Sequence, residues 1–226
     1  MLGFERLADA GDDEVLFEAQ ALVLAGWTGR EEAHVRAHIE ELAALGVKPP
    51  SAIPLFYRVT AQLASQADRL EVLGADTSGE VEYVIVAMED GLWVTAGSDQ
   101  TDRKAEALGV ALSKQLCGKV LGRSLWRLEE LKGHWDQLVL RAYALIDGER
   151  VLYQEGTLAA LRRPEDLIAR YTASGNLHAG TLLMSGTLSA IGGIRPAARF
   201  DFELEDPVRG RAIRHGYDVA VLPVVA

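Results

Sequence analysis

The chain has 226 residues, 49% of them hydrophobic, 25% charged and 7% aromatic, with a net charge of −10 and a pI near 5.0. A globular chain of that size buries roughly 70% of its unfolded surface and folds without disulfides or a structural metal. Its basic residues are scattered with no lysine-rich tract, and no run approaches the apolar length of a membrane span, so neither nucleic acid nor membrane is expected as a partner. The single cysteine, Cys117, can form no intrachain disulfide, and Met1 to Glu14 carries Asp9, Asp12, Asp13 and Glu14 in place of a signal peptide. Both point to the cytoplasm.

Residues 14–24 (EVLFEAQALVL) read as a strand or a short buried helix. Thr28 and Glu31 have the spacing of a capping box, which predicts a helix from about Arg30 to Leu45, stopped by Gly46 and with Pro49 and Pro50 beyond. Val35, Ile39 and Leu42 form its apolar stripe. From Glu80 onward the pattern is β-rich. VEYVIVA (81–87) and LWVTAG (92–97) flank the turn Glu89-Asp90-Gly91, and residues 137–146 and 150–154 repeat the arrangement around Asp147-Gly148. Helices are predicted over about 102–114 and from Pro164, whose fixed φ suits a first helical position. ARFDFELED (198–206), a turn at Pro207 to Gly210 and one or two strands to Val225 close the chain. Hairpins outnumber any βαβ rhythm, so the fold class is α+β around antiparallel sheets.

Several constellations can carry chemistry. In a strand, Glu80 and Glu82 point to one face while Val81 packs behind them, and a bound divalent cation is one good reason to hold two like charges together. The alternative is a solvated strand face after the Ser78-Gly79 turn. If the first hairpin closes around Asp90, Asp99 returns beside both glutamates. Three carboxylates with no His or Cys suit Mg²⁺ or Mn²⁺ better than Zn²⁺, whereas a plain helix N-terminus capped by Ser98 or Asp99 reads the same residues blandly. His38 and Glu41, at i and i+3, make a pair fit for a general base, or else a surface ion pair, with His34 one turn earlier. The run Ser185 to Gly193 can bring backbone amides to an anion or simply turn the chain. Lys114 can place a positive charge near a carboxylate, and Cys117 reads as a small core residue.

In this order, the motifs resemble the fumarylacetoacetate hydrolase superfamily, and within it a small uncharacterised bacterial subgroup. The family's H-x-x-E dyad on a lid helix and its Pro-to-LF segment are matched by His38-Ile39-Glu40-Glu41 and Pro54-Leu55-Phe56. Its E-x-E strand is matched by Glu80 and Glu82, and its N-D-x-S-A-R-D motif by Ser98 to Lys104, keeping Asp99 and Arg103. A downstream lysine matches Lys114 in SKQLCGKVLG, and the family's glycine-turn motif matches Leu177 to Gly192. Two departures stand out. A substrate-holding glutamine is here Glu106, which would repel a substrate carboxylate unless paired with Lys104 or Arg103, and the turn has Leu188 in place of proline.

The resemblance implies a mixed β-sheet roll, or partial barrel, with a helical lid. It implies one catalytic domain over residues 1–226, with an N-terminal strand and lid-helix region (1–60) and a metal-binding β core (61–226). A homodimer is implied as well. Glu80, Glu82 and Asp99 would hold Mg²⁺ or Mn²⁺, Arg103, Glu106, Lys114 and Thr187 would meet the substrate, and His38 held by Glu41 would activate water. The implied activity is hydrolysis of a C–C bond in a small β-diketo or 2-oxo acid through a metal-stabilised enolate. Decarboxylation, hydration or dehydration of 2-keto acids on the same scaffold is the alternative, and metal-independent binding without turnover is a third.

Overall fold

The computed structural model describes residues 1–44 and 49–225, with the side chains of residues 34, 38 and 41–44 outside the described set. Both predicted hairpins form: Val81–Met88 pairs antiparallel with Gly91–Asp99, and Val139–Ile146 with Glu149–Thr157. At the second turn Asp147 and Gly148 have φ of 52° and 83°, the left-handed conformations that Asp and Gly adopt at least cost. Residues 14–24 divide between two strands, Asp13–Phe17 and Ala21–Gly26, and the C-terminal segment is one strand, Arg211–Leu222.

The sheets are mixed, as the resemblance implies, with parallel pairs that the hairpin reading alone did not supply. Leu2–Leu7 runs parallel to Ser124–Arg127, Ala21–Gly26 to Thr181–Met184, and Arg69–Leu73 to Arg211–Leu222. Alternating hydrophobicity identifies a strand but not its distant neighbour. The larger, ten-stranded sheet runs in the order 13–17, 2–7, 124–127, 91–99, 81–88, 181–184, 21–26 and 55–59, with two short strands attached beside 91–99. The second sheet orders 149–157, 139–146, 199–206, 211–222 and 69–73.

Packing shows how the larger sheet curls. One apolar cluster lies between the two sheets and joins Val81, Tyr83 and Ile85 to Leu140, Phe200, Phe202 and Tyr217. The other draws its buried members from the ten-stranded sheet alone, including Phe17 at one edge and Val59 at the other. Strands from opposite edges share a core only if the sheet rolls over on itself. Val84, Val86, Trp93, Leu182 and Met184 fill that roll, and full burial of each aliphatic side chain contributes about 1.5–3 kcal/mol.

Helices are few. The N-terminal helix spans Glu32–Ala44, so Thr28 is not its cap. The chain before it is instead held to the body: Gly29 bridges Leu161, the Arg162 amide bonds the Thr28 carbonyl, and Arg162 Nη2 meets Glu32 Oε1 at 2.7 Å. The expected helix end near Gly46 lies outside the described residues. The helix predicted over 102–114 is split into Arg103–Glu106 and Val110–Gln115. Gly109 interrupts it in an extended conformation, and Asp102 caps the first piece by accepting from the Ala105 amide. Pro164–Tyr171 begins at proline as predicted. No described helix is long and apolar enough to cross a membrane.

Candidate metal centre

Glu80 and Glu82 stand at the start of the Val81–Met88 strand, on the face that Val84 and Val86 continue into the roll. The hairpin register sets Val81 opposite Ser98 and Glu82 opposite Gly97, and the Asp99 amide bonds the Glu80 carbonyl at 2.9 Å. Asp99 therefore arrives beside both glutamates. One carboxylate oxygen from each of the three lies within 4.8 Å of the others.

Glu82 is 1% exposed and Asp99 is fully buried, so their charges need partners. For Asp99 these are two lysines. Lys114 Nζ contacts both Asp99 Oδ2 and Glu80 Oε2, the latter at 3.3 Å. Lys119 Nζ lies 2.8 Å from Asp99 Oδ1 and donates to the Gln100 carbonyl at 2.6 Å. Lys119 gets there because the strand Lys119–Leu121 pairs antiparallel with the hairpin, placing it opposite Asp99. Arg103 spends all three nitrogens on protein acceptors: Nε on Ser78 Oγ (2.7 Å), Nη2 on Glu80 (2.8 Å) and Nη1 on Glu106 (3.1 Å). Of the two cations expected to pair with Glu106, it is Arg103 that does so.

Glu82 has a weaker match. The Gly186 amide donates to its Oε2 at 2.8 Å. Gly186 has a φ of 81°, and a Cβ there would stand 2.2 Å from Thr28 Oγ1, so only glycine lets this amide approach. The small-residue turn thus does bring an amide to an anion, and that anion is the protein's own Glu82. The neighbouring Thr187 hydroxyl donates to the Val81 carbonyl (2.7 Å) and accepts from Gln154 Nε2 (2.8 Å), while Gln154 Oε1 accepts from the Val81 amide (2.9 Å). These bonds fix the strand end that carries both glutamates.

The electrostatics divide the three acids. Burial pushes Asp99 up, but Lys114 and Lys119 outweigh it and hold the carboxyl down at about 2. Burial also raises Glu80, and Lys114 with Arg103 brings it below its ordinary value. Glu82 goes the other way: burial, then Asp99, hold it well above the usual carboxylate range. Without a further cation Glu82 holds its proton to a higher pH than an ordinary carboxylate. A set of three carboxylates, Glu82 and Asp99 buried and Glu80 partly so, one of them short of positive charge and with no His or Cys among them, fits a hard divalent cation such as Mg²⁺ or Mn²⁺.

Around this centre, half-buried Tyr57 bonds Trp27 and feels the charges of Lys114 and Glu106. Cys117 is buried, and burial pushes its thiol up to about 11, so it is no nucleophile at neutral pH. The helix Glu32–Ala44 carries His34, His38 and Glu41, whose side chains lie outside the described set. The sequence reading missed Lys119, Gln154 and Tyr57. For Lys119 a signal existed: a lysine heading the apolar strand Lys119–Leu121, with Gly118 before it and Gly122 after.

Residues 25–217 match the family model described as "Protein of unknown function (DUF2848)". No curated protein sequence shows detectable similarity to the chain. Among solved structures, 2-keto-3-deoxy-D-arabinonate dehydratase complexed with magnesium and 2,5-dioxopentanoate is 16% identical. It aligns over 92% of this chain and 75% of that one with a TM-score of 0.66. The 5-carboxymethyl-2-hydroxymuconate delta-isomerase of Mycobacterium smegmatis is 17% identical over 93% and 81% of the two chains, with a TM-score of 0.62. The 4-oxalocrotonate decarboxylase of Pseudomonas putida G7, complexed with calcium and acetate, is 16% identical over 88% and 76%, with a TM-score of 0.56. At these identities the likeness is one of fold, a mixed curled sheet of the fumarylacetoacetate hydrolase type.

Proposed function

The chain belongs to the DUF2848 family, and from that premise and its fold we propose that it is a divalent-metal-dependent enzyme acting on a small 2-oxo acid. The observation that carries this reading is the buried convergence of Glu80, Glu82 and Asp99 beside Lys114 and Lys119. Glu80, Glu82 and Asp99 would hold Mg²⁺ or Mn²⁺, which supplies Lewis acidity toward a chelating 2-oxo acid. Lys119 fixes Asp99, Gly186 aims Glu82, and Lys114 keeps a positive charge where negative charge develops on the substrate. Support also comes from the fold relatives, of which one structure holds magnesium with a dioxo compound and another holds calcium with acetate.

The finer reading is hydrolysis of a C–C bond in an acylpyruvate-like β-diketo acid. In it the His38–Glu41 pair expected from the sequence would take a proton from water, and the hydroxide would add to the carbonyl remote from the carboxylate. The C–C bond then breaks, its electron pair stays on the pyruvate fragment, and a proton completes the product. A second reading, dehydration or decarboxylation of a 2-keto acid, is favoured by the fold shared with a dehydratase and a decarboxylase. Product analysis with an acylpyruvate and with oxaloacetate separates the two. The first test of the whole proposal is calorimetric titration of Mn²⁺ with oxalate into wild type and Glu82→Ala. Binding by wild type that is lost in the variant supports it, and equal binding by both, or by neither, overturns it.

A further inference from the structure

The acidic centre has beside it a charge that the proposed chemistry does not use. Glu106 is one-third exposed, stands beside Arg103, and lies close enough to Tyr57 to act on it together with Lys114. It is therefore one guanidinium away from Glu80 of the acidic centre. A guanidinium in that position would ordinarily receive a second substrate carboxylate in a two-pronged bond. Here each of Nε, Nη1 and Nη2 already serves a protein acceptor, Ser78, Glu106 and Glu80 in turn, and two of the three are carboxylates that take up its charge. Arg103 is one positive charge shared between two carboxylates, so it has no net charge left for a third.

The charge of the loaded pocket limits its ligand further. Four carboxylates (Glu80, Glu82, Asp99 and Glu106) set against Arg103, Lys114, Lys119 and a divalent ion leave one positive charge. One substrate carboxylate neutralises it. A second would be a partly buried, unpaired anion beside Glu106. Resting on the 2-oxo acid reading, we infer that Glu106 makes the site selective for 2-oxo monocarboxylic acids with an uncharged tail, hydroxylated or acyl, and excludes 2-oxo dicarboxylic acids.

The test uses ligands of equal length that differ only at the far end, 2-oxopentanoate and 2-oxoglutarate. Each is titrated calorimetrically into Mn²⁺-loaded wild type and Glu106→Gln. The readout is the ratio of the two affinities within each protein, so any general weakening of the variant cancels. Wild type is expected to favour 2-oxopentanoate by at least about tenfold, the scale of one like-charge contact at a partly buried site. Glu106→Gln should bring the ratio close to one. Equal affinities in wild type, or a preference that survives in Glu106→Gln, overturn the inference and leave the 2-oxo acid reading standing. If neither ligand binds the Mn²⁺-loaded wild type, the 2-oxo acid reading falls, and this inference with it.

Discussion

Replacing Lys119 by methionine tests whether the acidic centre is held together by its buried lysines. The substitution keeps an unbranched side chain one atom shorter and removes one ammonium that is 2.8 Å from Asp99 Oδ1 and fully buried. At an effective dielectric constant of about 20, the gross attraction of that pair is about 6 kcal/mol. Taking two ions out of water offsets much of it. A second route to the magnitude is the Asp99 carboxyl itself, held at about 2 against an ordinary 3.8, which corresponds to about 2.4 kcal/mol of stability supplied by both lysines after burial is counted. The variant also strands the Gln100 carbonyl, which costs about 1–3 kcal/mol when buried. The expected net loss is about 3 kcal/mol, or about 6–12 °C in Tm for a chain of this length. Differential scanning calorimetry at pH 7 in chelator reads it directly. The effect has a sign in pH. Because the Asp99 pKa is lowered, its contribution is present above about 3.8 and is lost as the pH falls through about 2, so the gap between wild type and variant should close in that interval. A Tm that falls by less than about 2 °C, or rises, would refute the reasoning.

Glu82 should behave in the opposite sense. Its pKa is raised in the folded chain, so the metal-free protein loses stability as the pH climbs above the ordinary carboxylate value, by up to about 1.4 kcal/mol per pH unit. Glu82→Gln should flatten that slope and raise the metal-free Tm at neutral pH while abolishing Mn²⁺ binding; a lower Tm together with intact binding would contradict both halves. In the window below the raised Glu82 pKa, Mn²⁺ must displace one proton. Its affinity should therefore rise about tenfold per pH unit, and calorimetry in buffers of different ionisation enthalpy should count the released proton. Gly186→Ala puts a Cβ 2.2 Å from Thr28 Oγ1 at a left-handed φ, which should cost about 1–3 kcal/mol and weaken Mn²⁺ binding through Glu82. Chemical denaturation reads the first effect, and a stability unchanged from wild type would mean that the close approach does not exist.

The local part of this structure was legible and the distant part was not. Asp-Gly turns announce both hairpins, because few residues accept left-handed φ, and the two-residue period of a strand puts Glu80 and Glu82 on one face. Once the hairpin is drawn, Asp99 has nowhere else to be. By contrast, nothing in Thr181–Met184 says that it lies between Val81–Met88 and Ala21–Gly26, since an apolar run fits either neighbour. The same limit hid Lys119. Its identity was plain, but only the register against Gly97–Asp99 turns a strand residue into a counter-ion for Asp99. Thr28 and Glu31 misled for a different reason: the spacing of a cap was present, but the backbone at Gly29 is claimed by Leu161.

The charged centre also has a history within each folding event. All of its acids and both of its lysines fall between Glu80 and Lys119, on a hairpin and the short segment that follows it. A hairpin of this kind closes on a microsecond scale, about 1–10 μs, while the parallel pairing of Ala21–Gly26 with Thr181–Met184 must wait for most of the chain to be threaded between them. The opposite charges can therefore find one another while water still surrounds them, and the roll closes afterwards over a cluster that is already paired. Sequence proximity thus lets the most polar part of the interior assemble before the distant strands enclose it.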